Sequence, residues 1–100
     1  MAVRFVILGA GPAGNTAATV AASLGAEVTL IERDVVGGAA HLWDCIPSKA
    51  MVATGNELTE LGHARTMGLD AQGVLDVQAL RERIARTERK LCEGTTSLLE

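Results

Sequence analysis

The sequence predicts an α/β fold built on a parallel sheet, and three stretches predict it. Val3-Arg4-Phe5-Val6-Ile7-Leu8 is an apolar, β-branched run, Gly9-Ala10-Gly11-Pro12-Ala13-Gly14 follows it at once, and Glu27-Val28-Thr29-Leu30-Ile31-Glu32 has strand character again and ends in an acid. A continuous apolar run of the first kind reads as a buried strand of a parallel sheet. Between the two strands, Asn15 to Leu24 carries a helical pattern, and Gly25 stands where a left-handed cap would end that helix.

The turn between the first strand and the helix has the spacing of a dinucleotide-binding site in a Rossmann-type fold. Gly9 permits the tight turn, Gly11 lets backbone approach a pyrophosphate, and Gly14 lets the helix pack close on the strand. The N-terminus of the helix that follows offers unpaired amide hydrogens to the anion. Glu32 follows Gly14 by eighteen positions, near the distance of about twenty at which an acid bonds the adenosine ribose in such folds. Without a ligand, the same letters would describe a tight strand-to-helix connection and a solvated carboxylate at a strand end. A plain nicotinamide-binding fold satisfies everything to this point.

After Lys49 the chain is helical in character, with Met51, Val52, Ala53, Leu58 and Leu61 supplying an apolar face until Gly62 ends it. Pro47 suits the first helical turn, where a missing amide hydrogen costs least. The stretch from Arg65 to Gly73 reads as a loop, and Asp76 as the N-cap of a second long helix. Val77, Leu80, Ile84, Leu91 and Leu98 recur at helical spacing and predict a buried stripe, with Arg81, Glu82, Arg83, Glu88, Arg89 and Lys90 mostly elsewhere on a solvated face. Interleaved acids argue against a membrane-surface or partner-binding helix. The chain thus divides into a βαβ unit over 1–33, a loop and helix over 34–62, and an amphipathic helix over 76–99.

With 100 residues, 48% hydrophobic, and a net charge of −3, the chain suits a soluble globular piece and has no basic footprint for nucleic acid. The apolar start is too short and too rich in glycine to span a membrane, and the glycine turn explains it better than a signal peptide does. Two cysteines far apart do not suggest a secreted disulfide framework, so the cytoplasm is the expected compartment. His41 and His63 have no carboxylate or cysteine at ligand spacing, so no metal site is expected; His63 reads as solvated. Cys92 reads as a semi-buried inert thiol. Two clear strands make a small sheet, which would struggle to offset the entropy of ordering a domain of this size.

The decisive stretch is Gly37-Gly38-Ala39-Ala40-His41-Leu42-Trp43-Asp44-Cys45-Ile46-Pro47-Ser48-Lys49. It resembles the redox motif of the pyridine nucleotide-disulfide oxidoreductases, the family of dihydrolipoamide dehydrogenase and glutathione reductase, which reads roughly Gly-Gly-Thr-Cys-Leu-Asn-Val-Gly-Cys-Ile-Pro-Ser-Lys. The frame matches without a gap, and the resemblance covers essentially the whole chain but only the first part of a family member, which implies the N-terminal part of a Rossmann-type FAD-binding domain that later strands complete. It implies FAD as cofactor and NAD(P)H as electron donor. Gly9, Gly11, Pro12, Ala13 and Gly14 with Glu32 and Arg33 are then the candidate cofactor-binding residues at the dinucleotide end. Gly37, Gly38, Ala39, Cys45 and Lys49 are the candidates at the motif. In the family the sulfur at the Cys45 position lies against the isoalloxazine, and the lysine at the Lys49 position contacts the flavin.

The motif departs from the family at one position that matters. Ala40 stands where the substrate-facing cysteine belongs, so only Cys45 of the pair remains, and a disulfide needs two sulfurs in reach. Dihydrolipoamide and oxidised glutathione are therefore unexpected substrates. The resemblance extends to an actinobacterial branch with Gly-Gly-Ala-Ala and a single cysteine, described as NAD(P)H quinone reductases. It implies direct transfer from reduced flavin to a quinone by a homodimer. Cys45 is then a flavin-tuning thiolate or a retained packing residue, and Lys49 a positive charge near reduced flavin or a solvated helix lysine. For Trp43, core packing is the default, against a wall of the flavin pocket or a stacking surface for a flat substrate. Two other functions remain open: a soluble pyridine nucleotide transhydrogenase, and a non-catalytic FAD-binding scaffold or redox sensor.

Overall fold

The computed structural model describes residues 3–100. Strand β1 (Arg4–Leu8), helix α1 (Pro12–Ser23) and strand β2 (Glu27–Ile31) form a βαβ unit, followed by helices α2 (Ile46–His63) and α3 (Val77–Leu99). The strands pair in parallel, with Arg4 opposite Glu27 and Leu8 opposite Ile31. Gly9 N–H extends the ladder by donating to Ile31 O at 2.7 Å. Arg4 and Glu27 also form an ion pair at 3.8 Å, but both side chains are exposed, so it adds little.

Helix α1 starts at Pro12, earlier than its apolar pattern indicates, because proline fits the first helical position. It ends as expected at Gly25, whose φ is +84°. Gly25 N–H donates to Ala22 O at 3.0 Å and Ala26 N–H to Ala21 O at 3.1 Å, the paired bonds of a Schellman cap. Asp76 caps α3 as the sequence indicates, its carboxylate accepting from Ala79 N at 2.9 Å.

Several expectations are corrected. Gly62 does not end α2, which runs to His63 and tightens into a 3₁₀ turn over Ala64–Met67. The expected loop from Arg65 to Gly73 is therefore helical at its start. The stop is Gly68, at φ +81°, with Leu69 N–H donating to Ala64 O at 3.0 Å and Gly68 N–H to Arg65 O at 3.1 Å. A helical glycine costs roughly 1 kcal/mol relative to alanine yet ends nothing unless its backbone turns left-handed.

The motif loop is also helical. Ala40–Cys45 form a π-helical turn that runs straight into α2, and Ile46 N–H reaches back five residues to His41 O. This turn buries Leu42 and leaves Trp43 55% exposed, so the core residue here is Leu42 and not the tryptophan.

Burial is sparse. Among the described residues the buried apolar ones are Ala10, Ala18, Leu42 and Ala64. β1 is parallel but not buried: Phe5, Val6 and Leu8 are exposed, because among the described residues the sheet has two strands and α1 is the helix that packs on it most. The α3 stripe is not buried either. Leu80 and Ile84 are half-buried, while Val77, Leu91 and Leu98 are exposed. α3 packs on α2 and touches α1 more lightly; the segment leading into α3 also lies close on α2, where an added Cβ at Gly73 would meet Leu61 Cδ1 at 2.6 Å. Cys92 is half-buried, as expected, and His63 is exposed.

Candidate functional site

The ends of both strands, the start of α1 and the Gly37-Gly38 turn meet around one residue. Ala10 is fully buried. Its N–H donates to Glu32 Oε2 at 2.7 Å, and its carbonyl accepts Gly37 N–H at 2.8 Å and Asn15 Nδ2 at 2.9 Å. The other oxygen of Glu32 accepts Asp34 N–H at 2.8 Å. These bonds hold the Glu32 carboxyl below its ordinary range, the Ala10 amide first and the Asp34 amide second. With one hydrogen bond on each oxygen, the carboxylate retains acceptor capacity for a hydroxyl donor.

The glycine turn is shaped for close approach. At Gly9 φ is +102°, a conformation that side chains resist. A Cβ on Gly14 would overlap the Gly9 carbonyl oxygen and sit 3.5 Å from Ile7 Cγ2, so glycine is what lets α1 lie on β1. The second turn is pressed against the first: a Cβ on Gly38 would fall 2.7 Å from Gly11 Cα and 3.4 Å from Pro12 Cδ. Pro12 and Ala13 occupy the first turn of α1, where backbone N–H groups lack intrahelical acceptors. Here the dipole of α1 also favours an anion.

A cleft of about 320 Å³ at the carboxyl ends of the strands is lined by Leu8, Gly9, Ile31, Glu32 and Arg33. It lies at the position where open α/β sheets take ligands. The structure thus brings together Gly9, Glu32 and Arg33 at this cleft, and Gly11, Pro12 and Gly38 where the two glycine turns meet. Ala39, Cys45 and Lys49 stand apart, on the chain that leaves the Gly37-Gly38 turn. Cys45 is an exposed free thiol whose carbonyl accepts Ser48 Oγ at 3.2 Å, and Lys49 is exposed on the first turn of α2.

Sequence reasoning missed Asn15 and the Asp34 amide. The available signal for Asn15 was an amide side chain directly after Gly14, in the first turn of a helix whose other polar residues are the hydroxyls Thr16, Thr19 and Ser23. Nothing in the letters signals a backbone amide such as that of Asp34. Among the described residues no group of three His, Cys, Asp or Glu could hold a metal ion, and no helix is long and apolar enough to cross a membrane. The backbone cradle that a Cβ would fill, the open helix amides and the half-occupied carboxylate fit the adenine dinucleotide part of FAD.

Comparison with known proteins agrees with this geometry. A family model described as pyridine nucleotide-disulphide oxidoreductase matches residues 3–97. The dihydrolipoyl dehydrogenase of Haloferax volcanii is 43% identical over 79 residues, covering 79% of this chain and 17% of that protein. The dihydrolipoyl dehydrogenase of Geobacillus stearothermophilus is 36% identical over 96 residues, covering 95% of this chain and 20% of that protein. The crystal structure of LpdA from Mycobacterium tuberculosis superposes with a TM-score of 0.84 at 37% identity, covering 97% of this chain and 21% of that one. The chain spans about a fifth of the length of the curated relatives it matches.

Proposed function

The chain belongs to the pyridine nucleotide-disulphide oxidoreductase family, and from that membership we propose that the whole protein moves hydride from NAD(P)H through FAD directly to a quinone-type acceptor, with no redox disulfide. The family uses FAD and NAD(P)H, and the parallel βαβ unit with its helices is that of the family's Rossmann-type FAD-binding domain.

Ala40 carries the reading. It occupies the motif position of the second thiol, while Cys45 is free and the other cysteine, Cys92, lies on α3. A dithiol relay needs two neighbouring sulfurs, and this motif has one. Bound FAD supplies two-electron transfer between a hydride donor and an acceptor, chemistry that requires neither sulfur.

The residues of the chain bind and tune. Glu32 takes the adenosine ribose, with Arg33 beside it. Gly9, Gly11, Pro12, Ala13 and Gly14 receive the pyrophosphate through backbone and the α1 dipole. Gly37, Gly38 and Ala39 carry the chain past the cofactor, Lys49 sets a positive charge towards the flavin, and Cys45 adjusts its electronics. The unit 1–33, the motif with its helix over 34–62 and the helix over 76–99 form the N-terminal part of the FAD-binding domain. The whole protein is a cytoplasmic homodimer in this reading.

The test compares wild type with Cys45→Ser in the whole protein. FAD copurifies with both, NAD(P)H-dependent quinone reduction persists in the variant, and dihydrolipoamide is not turned over. A loss of quinone reduction beyond about a thousandfold, equivalent to roughly 4 kcal/mol of barrier, with FAD retained, would show the sulfur to be catalytic and the direct route wrong. A panel containing the opposite nicotinamide separates quinone reduction from transhydrogenation, and the absence of any NAD(P)H oxidation would identify a scaffold.

A further inference from the structure

Four segments converge on the peptide groups of Ala10: the exit of β1, the first turn of α1 through Asn15, the exit of β2 through Glu32, and the motif turn through Gly37. The bond from Gly37 N–H to the Ala10 carbonyl ties the redox motif to the dinucleotide turn. Asn15 Nδ2 donates to that same oxygen at 2.9 Å, while Asn15 Oδ1 is buried with no hydrogen-bond partner among the described residues. Turning the amide over would set Oδ1 against the Ala10 oxygen, acceptor against acceptor, so the hydrogen-bond network fixes which end faces Ala10.

An orphan buried carbonyl is costly, and asparagine is a weaker helix former than leucine. A leucine at this position would avoid both penalties. Neither helix propensity nor apolar packing accounts for an asparagine here, and the group its amide holds is the Ala10 carbonyl.

We propose that Asn15 is a positioning residue: its Nδ2 fixes the Ala10 carbonyl in the orientation that accepts Gly37 N–H, and so sets where the Gly37-to-Cys45 segment stands against the dinucleotide turn. The consequence for FAD rests on the flavoprotein reading above; the effect on the Ala10–Gly37 junction does not. The junction has little slack, because a Cβ on Gly38 would already fall 2.7 Å from Gly11 Cα. A small shift of one turn is therefore felt by the other.

Two variants of the whole protein test this. Asn15→Leu removes both the donor and the orphan oxygen. Asn15→Asp keeps the shape but turns a carboxylate oxygen on the Ala10 carbonyl. Amide exchange at Gly37 and the melting temperature are measured without cofactor, then the FAD dissociation constant by fluorescence titration and the flavin absorbance envelope. On the scale of one lost hydrogen bond, Gly37 exchange and the FAD dissociation constant each rise about tenfold in Asn15→Leu, and further in Asn15→Asp. The melting temperature of Asn15→Leu stays at or above that of wild type, and the absorbance envelope changes in both.

Unchanged Gly37 exchange in both variants overturns the proposal. So does an Asn15→Leu protein that melts earlier or fails to fold, since Asn15 would then be a stabilising residue only. A wild type that binds no FAD sinks the flavoprotein reading, and the exchange at Gly37 still decides the role of Asn15.

Discussion

At the scale of single residues, glycines of the same composition have opposite meanings. Gly14→Ala puts a Cβ into the Gly9 carbonyl oxygen, a backbone atom that cannot rotate away, so α1 must lift off β1 and the cradle opens. Overpacking of this kind costs roughly 1–3 kcal/mol or more, and FAD retention should fall with it. Gly55 lies inside α2 with nothing within 4 Å of an added Cβ. Gly55→Ala should therefore stabilise the protein by about 0.5–1 kcal/mol through helix propensity and a less flexible unfolded chain. Thermal melts of the two variants with flavin content measured alongside test the contrast, and equal shifts in the same direction would refute it.

Glu32 gives a pH dependence of defined sign. Its folded pKa lies below the ordinary value of 4.5, chiefly because the Ala10 amide bonds the charged form. The unfolded state therefore takes up a proton first as pH falls, so the stabilisation is fully present above the ordinary value and is lost as pH descends through the folded one. Glu32→Gln can keep one backbone hydrogen bond on its single carbonyl oxygen and loses the charge. The difference in melting temperature between wild type and Glu32→Gln should be greatest near neutrality and shrink below the ordinary carboxylate pKa. A difference that grows with acidification would contradict the assignment.

At the scale of elements, legibility follows where the controlling atoms lie. The βαβ unit could be read because its signals are local: an apolar run, a glycine turn, and Gly25 followed by the apolar Ala26 that a Schellman cap favours. Gly62 misled because the residue after it is His63, whereas Gly68 is followed by Leu69, the apolar partner such a cap uses. The π-helical turn could not be read, since its i→i+5 bonding has no periodic hydrophobic signature in six residues. It nonetheless decides a consequence. Bonding from residue i to i+5 stacks positions five apart on one face, and Ala40 and Cys45 are five apart. Ala40→Cys should therefore place two thiols within disulfide reach, detected as two fewer titratable thiols after mild oxidation and their return on reduction. An unchanged thiol count would mean the turn does not hold this geometry in the whole protein. Dihydrolipoamide turnover should stay low even with the bond formed, because His41, Leu42, Trp43 and Asp44 still depart from the family motif.

At the scale of the molecule, periodicity predicted burial that 100 residues do not provide. The amphipathic stripe of α3 and the apolar run of β1 are real patterns, but a stripe states which face wants covering and not what covers it. The chain measures 70 × 24 × 18 Å with a radius of gyration of 19.7 Å, where a compact domain of this length would have about 13 Å. Among the described residues no large side chain is fully buried, while Val6, Leu8, Leu24 and Leu98 are each more than 60% exposed. Hydrophobic burial is the dominant favourable contribution to folding, and the little of it found among these strands and helices falls short of the entropy of ordering them. Residues 1–100 in isolation should therefore neither melt cooperatively nor hold FAD, although the residues that meet at Ala10 are all present. Circular dichroism melts and FAD fluorescence titration of the isolated segment, run beside the whole protein, test this. Tight, saturable binding by the segment would show that the hydrogen bonds and close contacts of the two glycine turns suffice for the site without a surrounding core.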